Sequence, residues 1–276
     1  MKGFDKVYPF TTEKISSYFP ALNLADKSIL TVGSSCDQVF NALVCGAGRI
    51  VVYDINPRVA EFYKIKREAI LSLPRKELVP AILSTPNIPF MGDRFLEERL
   101  VSFNNYLQSD ENYELLRERL ADSDVSFMVG DVFKMREDLG DEKFDRILLS
   151  NVLQYIEYFF PDDDPYLVLA NNFPEWQSHL SEKGILQFAY LYNYSIDKIR
   201  TDVRRRNINK KQVFPSAIYN VLKVYQTLDN SDLDIMDFKG VHGFTNNRDS
   251  IITYTKFNSF CSFITYLIYI FNGTIS

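Results

Sequence analysis

The stretch SILTVGSSCDQVFNALVCGAGRIVVYDINP, residues 28–57, constrains this chain more than any other. An apolar run ends in small residues. A segment with Val39, Leu43 and Val44 at helical spacing follows, and Gly46 and Gly48 stop it. A second apolar run, RIVVYD, ends in an acid. Strand, helix and strand in that order make a βαβ unit, which commits the chain to an open, mainly parallel sheet. Such sheets bind ligands outside the carboxyl ends of their strands, where the strand order reverses. Gly33 has no Cβ and permits close approach to the backbone. Ser34 and Ser35 offer hydroxyls but crowd a pyrophosphate more than glycines would. Asp37, near the helix start, suits the helix dipole, repels a phosphate and welcomes an ammonium group. Asp54 follows Gly33 by 54 − 33 = 21 residues, the spacing of an acid that accepts from a ribose diol. The simpler alternative is that Gly33 only ends a strand and Asp54 only caps the next helix.

The rest of the chain extends the pattern. VYPFTTEKISSYFPAL reads as a loop and short helix with Thr11 or Thr12 as N-cap and Glu13 in the first turn. RVAEFYKIKREAILSL reads as a helix ending before Pro74. Residues 75–124 contain no clear strand; two helices are expected near 94–107 and 112–120, an insertion able to cover a site or form an oligomer surface. VSFMVGDVF, FDRILLSNVLQYI and ILQFAYLYNYS then supply further strands, with a helix end at EWQSHLSEKG closed by Gly184. SAIYNVLKVYQTL reads as a helix, and SDLDIMDFKG with DSIITYTKF as a closing antiparallel pair. The expected fold is α/β: a doubly wound, Rossmann-like, mostly parallel sheet with an antiparallel edge hairpin and a helical insertion, in one domain over 1–276.

Composition narrows the function. A net charge of -5 argues against a dedicated nucleic-acid binder. Three cysteines, Cys36, Cys45 and Cys261, lack metal or redox spacing, and two histidines, His179 and His242, cannot build a His-rich metal site; no metal is expected. MKGFDKVYPFTTEKI lacks the apolar core of a signal peptide, so the expected location is cytoplasmic. The aromatic tail 257–276 has an apolar run too short to span a bilayer, which needs roughly 20 residues; packing on the domain, a homo-oligomer contact and membrane association all remain open for it.

A narrow turn, a ribose acceptor and no phosphate cradle suit a nucleoside with a cationic or zwitterionic tail, such as S-adenosylmethionine. Asp131 and its neighbour Val132, after the third strand, are placed to meet an adenine; Ser150 and Asn151, after the fourth, face the same crevice. The order LTVGSS, VYDINP, VGDVF, LLSNVLQYI resembles class I S-adenosylmethionine-dependent methyltransferases over about 27–256. Over about 28–73 the chain is similar to enzymes that transfer the 3-amino-3-carboxypropyl group of that cofactor in betaine-lipid synthesis. They share the small-residue turn, a D-x-NP after the second strand and a K-x-x-A-I in the next helix, here Lys66, Ala69 and Ile70. The sequence departs from them at Cys36, where such turns usually have glycine. The resemblance implies S-adenosylmethionine as cofactor and Gly33, Ser34, Asp54, Asn56 and Asp131 as its contacts. Ser35, Asp37, Ile55, Val132, Ser150 and Asn151 complete the candidate set, with no catalytic residue identified. Methyl transfer to an unidentified small-molecule or lipid acceptor is the favoured activity; aminocarboxypropyl transfer and a non-catalytic binding module are the alternatives.

Further residues carry weaker signals. Cys36 stands at a helix start, where a thiol's pKa falls. Asp162, Asp163 and Asp164 form an acidic loop. RTDVRRRNINKK is basic, and Tyr190, Tyr192 and Tyr194 alternate on one strand.

Overall fold

The computed structural model describes residues 6–86, 97–191, 232–239 and 248–256. Among these residues seven strands form one sheet: β1 (Ser28–Thr31), β2 (Arg49–Asp54), β3 (Asp124–Val129), β4 (Phe144–Leu148), β5 (Leu180–Leu191), β6 (Asp232–Lys239) and β7 (Arg248–Thr255). Their order is β3-β2-β1-β4-β5-β7-β6. The first five neighbours pair in parallel, β7 runs antiparallel to β5, and β6 antiparallel to β7. This is the doubly wound, Rossmann-like sheet with an antiparallel edge pair expected from the sequence. Strand order runs outward in one direction from β1 to β3 and in the other from β4, so the gap between β1 and β4 is the switch point.

Successive strand residues point to opposite faces, and both faces are covered. Ile29, Ile50 and Val52 join one core with Val39, Phe40, Phe62 and Ile70. Leu30, Val51 and Tyr53 join the other with Met135, Leu169, Phe173 and Trp176. Burial on both sides explains why β1 and β2 read as continuous apolar runs rather than alternating ones.

The insertion is more helical than its sequence suggests. Helices occupy Arg75–Leu83, Glu97–Phe103, Asn105–Gln108 and Asp110–Ala121. The first, which carries Pro80 inside it, is not among the two helices expected; its buried face, Leu78, Val79 and Ile82, holds it against the first core. Two further expectations change. Gly184 does not close a helix: the helix Pro165–Ser178 ends earlier, and Gly184 lies in β5 where the pairing with β4 shifts register. A Cβ there would stand 2.9 Å from the Ser181 carbonyl and 3.1 Å from that of Phe144. Near the N-terminus the helix spans only Ile15–Tyr18 and has no side-chain cap. Thr11 instead accepts a hydrogen bond from the Glu13 amide, forming a local turn. The strand end at Tyr192 and Tyr194, the basic segment, the helix near 216–228 and the tail lie outside the described residues. No helix among the described residues is long and apolar enough to cross a membrane.

Candidate active site

A cavity of 390 Å³ opens at the carboxyl ends of the parallel strands. It spans the switch point. Gly130, Asp131 and Val132 line it after β3, Asp54, Ile55 and Asn56 at the end of β2, Ser34 and Ser35 after β1, and Ser150 and Asn151 after β4. Nine of the sequence-derived candidates therefore meet in one place.

Gly33 and Asp37 do not line it. Gly33 lies beneath the turn, where an added Cβ would stand 2.2 Å from a Val59 methyl and 2.9 Å from one of Val52. Its lack of a side chain serves close packing of the turn on β2. Asp37 is fully buried. Its carboxylate takes an ion pair from Lys66 at 2.6 Å, a hydrogen bond from Tyr106 Oη at 2.6 Å, another from the Thr11 amide, and a fourth from Ser35 Oγ at 3.0 Å. The ammonium group that Asp37 welcomes is the chain's own. Lys66, also fully buried, donates further to the carbonyls of Pro9 and Ser35, and lies 3.9 Å from the Phe10 ring centre. Burial lowers the Lys66 pKa, and Asp37 opposes that shift. This pair fastens the turn to the N-terminal segment, and Tyr106 fastens it to the insertion.

Asp54 organises the turn from above. One carboxylate oxygen accepts from the Gly33 and Ser34 amides, both at 2.9 Å; the other accepts from the Asn56 amide at 2.8 Å. Burial pushes its pKa up, and these three donors pull it back. A carboxylate has about four lone-pair sites, so three are occupied and one remains for a ligand hydroxyl. The two turn amides that would otherwise cradle a phosphate are already committed. The backbone is left-handed at Ser34 (φ 45°) and Cys36 (φ 64°), conformations that glycine adopts more cheaply. Cys36 is buried, and burial raises its thiol pKa, against the depression expected of a helix start.

The N-terminal segment forms a wall that the sequence did not disclose. Lys6, Val7, Tyr8, Thr11, Thr12 and Glu13 all line the cavity. Asn56 donates to the Lys6 carbonyl at 2.9 Å. Ser150 Oγ donates to Glu13, which also accepts from Tyr18 Oη at 2.8 Å. Ser150 is left-handed (φ 51°), as the sharp exit from β4 requires. Tyr155 and Phe159, just beyond β4, complete this end. Burial, then Tyr8 and Glu13, push the Tyr155 phenol up, so it stays protonated at neutral pH. Tyr53 lines the opposite end and donates to Asp138. Asp131 accepts from the Phe133 amide at 3.0 Å. The described insertion helices contribute no lining residue. The acidic loop Asp162, Asp163 and Asp164 is exposed.

Fold and cavity place the chain among Rossmann-like α/β proteins. No family model and no curated protein sequence matches it. Among solved structures it is similar to the N-methyltransferase NodS from Bradyrhizobium japonicum WM9, at 13% identity and a TM-score of 0.45, over 86% of this chain and 92% of that one. It is similar also to a ribosomal protein L11 methylase from Lactobacillus delbrueckii subsp. bulgaricus, at 12% identity and a TM-score of 0.39, over 87% and 77%. A putative S-adenosylmethionine-dependent methyltransferase from Listeria monocytogenes gives 12%, 0.40, 86% and 93%. Scores this low assign no activity to this chain.

Proposed function

We propose that the cavity binds S-adenosylmethionine and that the chain is a transferase using it, with methyl transfer favoured. The observation that carries this reading is the cavity's charge and placement. It lies at the switch point, with Asp54 at the end of β2, and the Gly33 and Ser34 amides donate to Asp54 rather than standing open to a phosphate. Glu13, Asp54 and Asp131 line it, and Lys6 is its one basic side chain among the described residues. A nucleoside carrying a sulfonium and an ammonium fits such a wall; a diphosphate does not.

The residues divide the work along the sheet. Asp131, Val132 and Tyr53 take the base end, and Asp54 receives one ribose hydroxyl. Ser34 and Ser35, after β1, are assigned to the amino-acid tail. The sulfonium supplies the reactivity when the cofactor is bound, and the protein's part is orientation and the exclusion of water. Aminocarboxypropyl transfer, suggested by the similarity over 28–73, uses the same contacts. Incubating the chain with S-adenosylmethionine and cell extract, then analysing the nucleoside product, tests the reading. S-adenosylhomocysteine marks methyl transfer, methylthioadenosine marks the alternative, and neither in any extract counts against a transferase.

A further inference from the structure

Asp37 does not line the cavity, but Ser35, one of its donors, does. An ionised carboxylate has about four lone-pair sites and no hydrogen to give. At Asp37 these sites are engaged. Lys66 Nζ and Tyr106 Oη donate to Oδ1; the Thr11 amide and Ser35 Oγ donate to Oδ2. The Ser35 hydroxyl has one hydrogen and two lone pairs. Its hydrogen is committed to Asp37 at 3.0 Å, and one lone pair receives the Asp37 amide at 3.3 Å. Lys66 Nζ holds the Ser35 carbonyl as well, at 3.2 Å. Among the described residues one lone pair remains on the hydroxyl. A serine ordinarily rotates its hydrogen to suit either kind of partner. Here that rotation would take a donor from a fully buried charge, so the buried pair fixes the polarity of Ser35.

We infer that the Ser35 hydroxyl, held as an acceptor by Asp37, is the contact for the ammonium group of the ligand's amino-acid tail. This rests on the S-adenosylmethionine reading for the identity of the ligand. The tail carries two charged groups of opposite polarity: the ammonium only donates, and the carboxylate only accepts. A carboxylate at Ser35 would set lone pair against lone pair. The ammonium completes a chain that runs through the Ser35 hydroxyl to Asp37, and hydrogen bonds in such a chain strengthen one another. The tail is therefore oriented with its amine on Ser35 and its carboxylate turned away. Asp37 is a positioning residue: it acts on the ligand through Ser35 while Lys66 balances its charge.

The test is calorimetry on the full chain with S-adenosylhomocysteine, its deaminated analogue, in which hydrogen replaces the α-amino group, and its decarboxylated analogue, which keeps the amine. The wild-type chain is expected to bind the deaminated analogue about tenfold or more weakly than S-adenosylhomocysteine, the size of one hydrogen bond from a charged donor. Ser35→Ala is expected to weaken S-adenosylhomocysteine and the decarboxylated analogue alike, by about tenfold, and to leave the deaminated analogue nearly unchanged. A merely structural role for Ser35 would weaken all of them together, and that result overturns the inference. Should Ser35→Ala fail to fold, Ser35→Cys keeps the shape with a weaker acceptor; it is expected to show the same selective loss, and a uniform loss or none overturns the inference again. Equal binding of S-adenosylhomocysteine and the deaminated analogue to the wild-type chain overturns this inference alone. No binding of S-adenosylhomocysteine to the wild-type chain overturns the cofactor reading and this inference with it.

Discussion

Replacing Lys66 by methionine isolates the buried ion pair that fastens the turn. Methionine fills much of the lysine's volume, so packing is largely kept. Asp37 is left fully buried with Tyr106, Ser35 and the Thr11 amide but no cation. Removing one partner of a buried pair costs about 3–5 kcal/mol. The Pro9 and Ser35 carbonyls also lose a donor, but these losses overlap with the first and do not add in full. A total near 4 kcal/mol is expected. With an m-value of about 2–3 kcal/mol/M in urea, the midpoint falls by roughly 1.5 M. Trp176, the chain's single tryptophan and fully buried, reports the transition by fluorescence. The double variant Asp37→Asn with Lys66→Met removes the stranded charge and is expected to recover part of the loss. A midpoint shift below about 0.5 M for Lys66→Met would refute the view that a charged pair holds the turn.

Further outcomes follow from the same geometry. Gly33→Ala forces a methyl against Val59 and Val52 and is expected to cost about 1–3 kcal/mol of stability, read by the same urea titration. Ser34→Gly relieves a left-handed residue and is expected to raise stability by about 1 kcal/mol; a loss of stability would show that the hydroxyl matters more than the backbone. Tyr53, Tyr106, Tyr113 and Tyr155 are all pushed up by burial, Tyr113 to about 12. Above the ordinary phenol value near 10 the unfolded chain releases protons that the folded chain keeps. Their contribution is therefore complete below about pH 10 and lost as pH rises through the folded values. Tyr106→Phe should flatten that fall in a stability-versus-pH series, and an unchanged slope would contradict it.

The sheet was legible because doubly covered parallel strands leave continuous apolar runs, and each run's end marks a carboxyl terminus. That logic located Asp54, Asp131, Ser150 and Asn151, since a strand end is a position on the cavity rim. Asp37 misled for a physical reason. A charge near a helix start reads the same whether it faces a ligand or a buried lysine, and the lysine is 29 residues away. Lys66 was noticed only through family resemblance. The N-terminal wall left no local trace. Glu13 meets Ser150 across 137 residues, and Lys66 reaches Pro9 across 57, so tertiary contacts rather than periodicity decide its path. Gly184 misled because a glycine beyond a helix and a glycine in a register shift share one sequence signature.

The central claim is that this acidic cavity takes a zwitterionic nucleoside and refuses phosphates. Competition calorimetry with S-adenosylhomocysteine, NAD and ATP tests it most directly. S-adenosylhomocysteine should bind, NAD and ATP should not displace it, and Asp54→Ala should weaken it by about 1.5–3 kcal/mol, the range for a hydrogen bond to a charged group. Tighter binding of NAD or ATP than of S-adenosylhomocysteine, or unchanged affinity in a folded Asp54→Ala variant, would contradict the account.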